Sequence, residues 1–254
     1  ITIAHGDEND GYVLLGQALS QFPDHGVAHG ALRKWIDRRR QTQDEAQLQK
    51  ALADWLSPLA DTELHQQLLY EIARSLKREG KLDEALAAFV RCAEARPYPR
   101  GPFTDDAYWN ASLLAEKLGQ HDNAIGQLKA MLRNRERSSL LFGSYERPRF
   151  PAAQMRIAEL YRDRLGNLKA AQEAFGRTHK EHTASILADD AMWQEAAMWR
   201  KLGDSAQSCG VLTDLIDRFS SSRYVSCVAE LCPHLRPPAG TRPHCPEYIK
   251  QGLR

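Results

Sequence analysis

The residues best suited to chemistry lie in the last quarter of the chain, where four of the five cysteines cluster: Cys209, Cys227, Cys232 and Cys245. Together with His234 and His244 they carry the residue types of a zinc site. Their spacing, Cys-x4-Cys-x-His followed by His-Cys, lacks the Cys-x2-Cys knuckle that tightens such sites. Disulfides fit the cluster better, with Cys209–Cys227 and Cys232–Cys245 the preferred pairs, and would staple a terminal helix to its proline-rich extension. No metal site is expected. His179 and His182, three apart in His-Lys-Glu-His, could share an ion, but no third ligand is near in sequence and a solvated helix end is expected. The pairs Asp105-Asp106 and Asp189-Asp190 invite an acid–base reading, yet each opens a helical stretch, where a carboxylate caps exposed N–H groups. The sequence contains no phosphate-cradling glycine loop, Gly-x-Ser-x-Gly elbow or His-Glu-x-x-His pair, so neither catalysis nor a cofactor is expected.

The bulk composition narrows the classes further. The chain has 254 residues, 34 Lys+Arg against 33 Asp+Glu, a net charge of +1, 43% hydrophobic and 26% charged residues. That is ordinary globular material, too apolar to be disordered and too neutral for a polyanion to be the main partner. No apolar run is long enough to span a bilayer. Ile1 opens a segment with neither the basic nor the apolar region of a signal peptide, so the chain reads as a trimmed or mature form. The paired cysteines point to an oxidising compartment; Cys92 stands alone in a helical pattern and reads as core.

Self-comparison supplies the elements. Residues 105–119, DDAYWNASLLAEKLG, recur at 189–203 as DDAMWQEAAMWRKLG, an offset of 84. Two related units, at 72–97 and 156–178, also run helix, glycine turn, helix, with turn glycines Gly80, Gly119, Gly166 and Gly203. Each second helix places apolar residues at helical spacing, as in Leu82, Ala85, Leu86 and Phe89. Small residues at Ala85, Ala124, Ala171 and Ser208 allow close approach within a pair. No unit buries its own apolar face, so neighbours must stack. Residues 1–60 also read as helices, a terminal cap or degenerate repeat; 61–235 hold the repeats, and 236–254 form a Pro- and Cys-containing extension.

The spacing of Ala73, Gly80, Ala85, Phe89, Cys92 and Pro97 resembles the tetratricopeptide (TPR) repeat. Later units depart by longer connections and, in the third, by one extra residue before Gly166. The phrase LIDRFSSSRY (215–224) is similar to repeat ends in bacterial cell-envelope TPR proteins, such as the periplasmic Tol–Pal coordinator and the lipoproteins of outer-membrane assembly. The resemblance implies an all-α, TPR-like α-solenoid. It also implies a non-catalytic scaffold for a protein or peptide partner, periplasmic or outer-membrane-anchored, with a cytoplasmic location as the alternative.

In such repeats the first helix of each pair lines a concave groove. Counting from the turn glycines puts Tyr70, Trp109, Met155 and Trp193 there, with Arg74, Lys77, Glu116, Arg162 and Arg200 further along the same helices. Aromatic anchors with mixed charge suit a peptide, since aromatics contribute area at low entropy cost. Packing between repeats is the competing reading for Trp109 and Trp193. The ninth positions, Arg74, Leu113, Glu159 and Ala197, do not form the regular clamp that captures a chaperone's terminal carboxylate. The connection 138–151 offers Tyr145, Arg147 and Arg149 as loop contacts. Two other classes remain open: a structural assembly subunit using its convex face or ends, and a peptidoglycan-acting enzyme on a helical scaffold. A buried glutamate with a raised pKa would favour the enzyme.

Overall fold

The computed structural model describes residues 8–42, 44–97, 101–133, 149–240 and 244–251, and among them no strand occurs. The chain divides into two compact units, Ile1–Glu136 and Arg137–Arg254.

The first unit holds α1 (Glu8–Gln21), α2 (Ala28–Thr42), α3 (Glu45–Asp54), α4 (Leu64–Arg78), α5 (Leu82–Ala95), α6 (Thr104–Lys117) and α7 (His121–Arg133). Helix α5 packs against both α4 and α6, and α7 packs back on α6, so consecutive helices form antiparallel pairs that stack. The break after α4 shows how the sequence makes a pair. Gly80 takes φ +78°, Lys81 N–H reaches the Leu76 carbonyl at 3.0 Å and Gly80 N–H the Lys77 carbonyl at 3.2 Å. These two bonds satisfy carbonyls that the helix end would leave open, and only the left-handed residue between them allows both. Ala85 and Ala124 are fully buried, as their small size anticipates, and Phe89, Cys92 and Leu128 fill the space beside them. Gln66 ties α4 to the α5–α6 connection, donating to the Cys92 and Arg96 carbonyls at 3.1 Å and accepting from Phe103 N–H at 3.1 Å. Glu45 at the start of α3 gathers Arg78 of α4 at 2.7 Å, Ser75 and, at 3.7 Å, Arg40 of α2.

The second unit holds α8 (Arg149–Asp163), α9 (Leu168–Glu181), α10 (Ala188–Lys201), α11 (Ser205–Arg218), α12 (Val228–Leu231) and α13 (Glu247–Gln251), with a 3-10 turn at Val225–Cys227. Helix α9 packs on α8 and α10, and α11 on α10, repeating the arrangement of the first unit. The extra residue before Gly166 is absorbed at the end of α8. Asn167 N–H bonds back to Tyr161 O at 2.8 Å, one residue further than Lys81 reaches after α4. Ala171 and Ser208 are fully buried, and Ser208 Oγ donates to the Ala196 carbonyl at 2.9 Å.

Both disulfides form, but not in the preferred pairing. Cys209 joins Cys232 and Cys227 joins Cys245, with Cα–Cα distances of 5.3 and 4.7 Å, inside the range a bridge needs. The correction has a local cause. Cys227 ends the 3-10 turn and α12 interposes between it and Cys232, so Cys232 is the residue that arrives beside α11. The two loops therefore interlock. Val225–Cys227 form this turn, and Val228 begins α12.

Candidate functional site

The face made by α4 and α6 in the first unit carries most of the anticipated residues. Tyr70 is half-buried, its ring 5.0 Å from Phe103 and 5.5 Å from Phe89. Arg74 is exposed and paired with Glu71 at 2.9 Å. Lys77 Nζ donates across to Asn110 Oδ1 of α6 at 3.0 Å, and Asn110 Nδ2 reaches Tyr70 Oη at 3.4 Å. Trp109 and Glu116 are half-buried on the same helix, with Leu113 exposed between them. Tyr70, Lys77 and Asn110 thus form one cross-helix rung.

The second unit repeats that rung with different residues. Arg162 of α8 donates to Gln194 Oε1 of α10 at 2.6 Å, pairs with Asp163 at 2.6 Å, and lies over the Phe175 ring at 5.5 Å. The Arg162 hydrogen bond holds the Asp163 carboxyl below its ordinary range, against the opposing effect of burial. Met155 is half-buried on α8, and Arg200 is exposed, donating to Ser205 Oγ at 2.7 Å. Asn110 and Gln194 stand 84 residues apart, at matched places in the sequence echo, each beside a tryptophan. Sequence reasoning passed over both, although that echo is a signal that could have found them.

Trp193 is a correction. It is 2% exposed and stacks on Tyr224, ring centroids 5.1 Å apart at 14°, so it presents no surface to a ligand. Asp189 and Asp190 explain why. They accept from Ser222 Oγ at 2.7 Å and Tyr224 Oη at 2.6 Å, with Arg223 also on Asp190, and so fasten the segment after α11 over the start of α10. They serve as tethers, and Asp189 Oδ1 also accepts from the Asp190 N–H at 3.0 Å in the first turn of α10, as the capping expectation anticipates, while Leu187 before the helix makes no side-chain cap. An open cleft of about 480 Å³ remains beside them, lined by Asp189, Asp190, Ser222, Arg223, Phe219 and the exposed Ile186. Tyr145 and Arg147 lie outside the described residues; Arg149 opens α8 and is half-buried.

The anticipated solvated helix end at His179 and His182 is also corrected: both histidines are buried. His179 Nε2 meets Glu195 Oε2 at 2.6 Å, and Gln172 Nε2 donates to Glu195 Oε1 at 2.9 Å. Arg218 of α11 approaches His179 Nδ1 at 3.3 Å and donates to the His179 carbonyl at 3.2 Å. A guanidinium only donates, so Nδ1 accepts and Nε2–H points at Glu195. Glu195 is 2% exposed. Burial pushes its carboxyl upward, but the hydrogen bond from His179, the charge of Lys180 and the hydrogen bond from Gln172 outweigh this and hold it below the ordinary glutamate value. A general acid needs the opposite shift. The cluster ties α9, α10 and α11 together through matched polar groups.

Comparison with known proteins agrees with this geometry. Residues 66–99 match the sequence profile described as tetratricopeptide repeat, as do residues 190–222. Each unit carries a tetratricopeptide repeat. The matched segments are the α4–α5 and α10–α11 pairs. Among solved structures, BtubC (BKLC) from P. vanneervenii is similar at a TM-score of 0.50 and 13% identity, covering 82% of this chain and 87% of that one. A tetratricopeptide repeat protein from Parabacteroides merdae covers 81% of this chain and 73% of its own at 19% identity and TM-score 0.46. MamA from Desulfovibrio magneticus RS-1 covers 76% and 96% at 15% identity and TM-score 0.44. No curated protein matches the sequence significantly. At these identities the likeness concerns the fold: an all-α, TPR-like helical solenoid.

Proposed function

We propose that the chain is a non-catalytic interaction scaffold of a bacterial cell envelope, binding an extended peptide or a partner's surface on the first-helix faces of its repeats. The observation that carries this reading is the rung. A cation from one first helix hydrogen-bonds an amide on the next in both units, Lys77 to Asn110 and Arg162 to Gln194. A surface maintained by polar cross-links while leaving Tyr70, Trp109 and Leu113 partly open offers apolar anchors, donors and acceptors together, which suits a polypeptide. Near-zero net charge favours the same ligand over a polyanion. The two disulfides support an oxidising compartment, and no helix among the described residues is long and apolar enough to cross a membrane.

The test is selection of a random-peptide display library on the protein, followed by affinity measurement on Tyr70→Ala/Trp109→Ala. Loss of two aromatic anchors weakens the selected peptide by about 2 kcal/mol or more, roughly thirtyfold. Failure to enrich any sequence, or unchanged affinity in the folded double variant, refutes the reading. One observation favours assembly through an end of the first unit instead. Phe22 and Val27 are more than 60% exposed beside an apolar notch of about 230 Å³ lined by Leu15, Leu19 and Ala28. Sedimentation of Phe22→Asp/Val27→Asp decides it, since a self-associating protein would become monomeric.

A further inference from the structure

Cys209 lies on α11, and Cys232 follows α12 directly. After Cys232 the chain reverses at once: Leu235 N–H donates to the Cys232 carbonyl at 3.0 Å, closing a four-residue turn with Pro233 in its second position. Proline's fixed φ favours that place. The turn folds His234 back over the disulfide, so Cys232 Sγ lies 3.4 Å from Nε2 and 3.7 Å from Nδ1 of the ring. Cys209 Sγ, Cys232 Sγ and an imidazole nitrogen all fall within 4.8 Å of one another, and among the described residues no other three such ligands converge.

We propose that Cys209, Cys232 and His234 form a redox-gated binding site for a divalent metal ion of the zinc type, closed by the disulfide and opened by its reduction. On a tetrahedral zinc two thiolates stand about 3.8 Å apart and an imidazole nitrogen about 3.5 Å from each. The disulfide holds the two sulfurs closer than this, and its reduction frees them to part to that separation from Cα atoms 5.3 Å apart. Cys232, Val228 and Leu212 are fully buried, and α12 packs on α10 and α11, so the two sulfurs stay neighbours without their bond. His234 is exposed, and its ring turns toward a shared ion without disturbing the interior.

The steps balance. A dithiol reductant delivers two electrons and two protons to the Cys209–Cys232 bond, leaving two thiols and its own cyclic disulfide. The ion then displaces both thiol protons to solvent and takes two thiolates, one imidazole nitrogen and a water. Disulfide sulfurs offer no thiolate, so the oxidised protein does not hold the ion here.

The experiment titrates the full chain with Co²⁺ under argon, reading thiolate-to-metal charge-transfer absorption, and Zn²⁺ by displacement of the cobalt. The reduced protein is expected to keep its helical circular dichroism and bind one equivalent, and the oxidised protein to show no band. Cys209→Ser abolishes the band, and Cys245→Ser retains it. Replacement of an outer-shell partner costs about tenfold in metal affinity, so loss of the ligand in His234→Ala costs at least that. His234 is exposed, so this variant folds. Absence of a band on reduction, unfolding on reduction, loss of the band in Cys245→Ser, its survival in Cys209→Ser, or an unchanged affinity in His234→Ala overturns the proposal.

Discussion

Gly176 offers a sharp test of the buried Glu195 cluster. It sits inside α9, where alanine is normally favoured over glycine by about 1 kcal/mol. An added Cβ at this position, however, would lie 2.7 Å from Glu195 Oε1 and 3.0 Å from its Cδ. The carboxylate cannot retreat freely, because it is held by His179 at 2.6 Å and Gln172 at 2.9 Å. Overpacking and stretched charge-assisted bonds together cost about 2–3 kcal/mol, which exceeds the propensity gain. Gly176→Ala is therefore expected to destabilise the second unit by about 1–2 kcal/mol, roughly a fivefold to thirtyfold loss of amide protection across residues 168–201 by hydrogen exchange. In a Glu195→Ala background the obstruction is gone, and the same substitution should stabilise by about 0.5–1 kcal/mol. With Glu195→Gln, which keeps the shape, it should still destabilise. A coupling of about 2 kcal/mol between the sites follows. If Gly176→Ala stabilises the otherwise unaltered protein, or its effect keeps its sign when Glu195 is truncated, the close approach is not what holds glycine there.

Further outcomes are expected elsewhere. Glu195 has a folded pKa below the ordinary glutamate value, so its stabilisation is complete above that value and disappears as the pH falls through the lower folded one. Unfolding free energy of the second unit, followed from about pH 6 to about pH 3, should fall less in Glu195→Gln than in the native sequence; an identical slope would remove Glu195 from the account. Denatured but unreduced protein should titrate one thiol, Cys92, and reduction should lower the stability of the second unit by about 3 kcal/mol per bridge in urea melts. Gly80→Ala, which forces a side chain onto φ +78°, should cost about 1 kcal/mol or more by the same measurement. Lys77→Ala breaks an exposed rung and should change stability by less than about 1 kcal/mol while weakening a selected peptide; a larger stability loss would make the rung structural.

The sequence alone determined the helix pairs, because their causes are local. A glycine at each turn, apolar residues at helical spacing and an alanine or serine at the close-contact position are properties of neighbouring residues, and all four turn glycines take positive φ. The extra residue before Gly166 was equally visible, and so was the readiness of the cysteines to pair. What the tertiary structure decided concerns partners that the chain brings from afar. Which cysteine meets which depends on a four-residue helix between Cys227 and Cys232 that carries no strong signal of its own. Whether a tryptophan on a first helix is an anchor or interior depends on what lies over it: Trp109 is half-buried, whereas Trp193, at the same place in the echo, disappears under Tyr224. The Glu195 cluster shows the boundary between the two. The echo places Ala111 where the second copy has Glu195, a substitution plain in the sequence. A lone glutamate on an otherwise apolar face nevertheless reads as exposed, because burying a charge is unfavourable without partners. Its partners His179 and Gln172 come from α9, and Arg218 of α11 in turn holds His179; only packing brings these groups within hydrogen-bond reach.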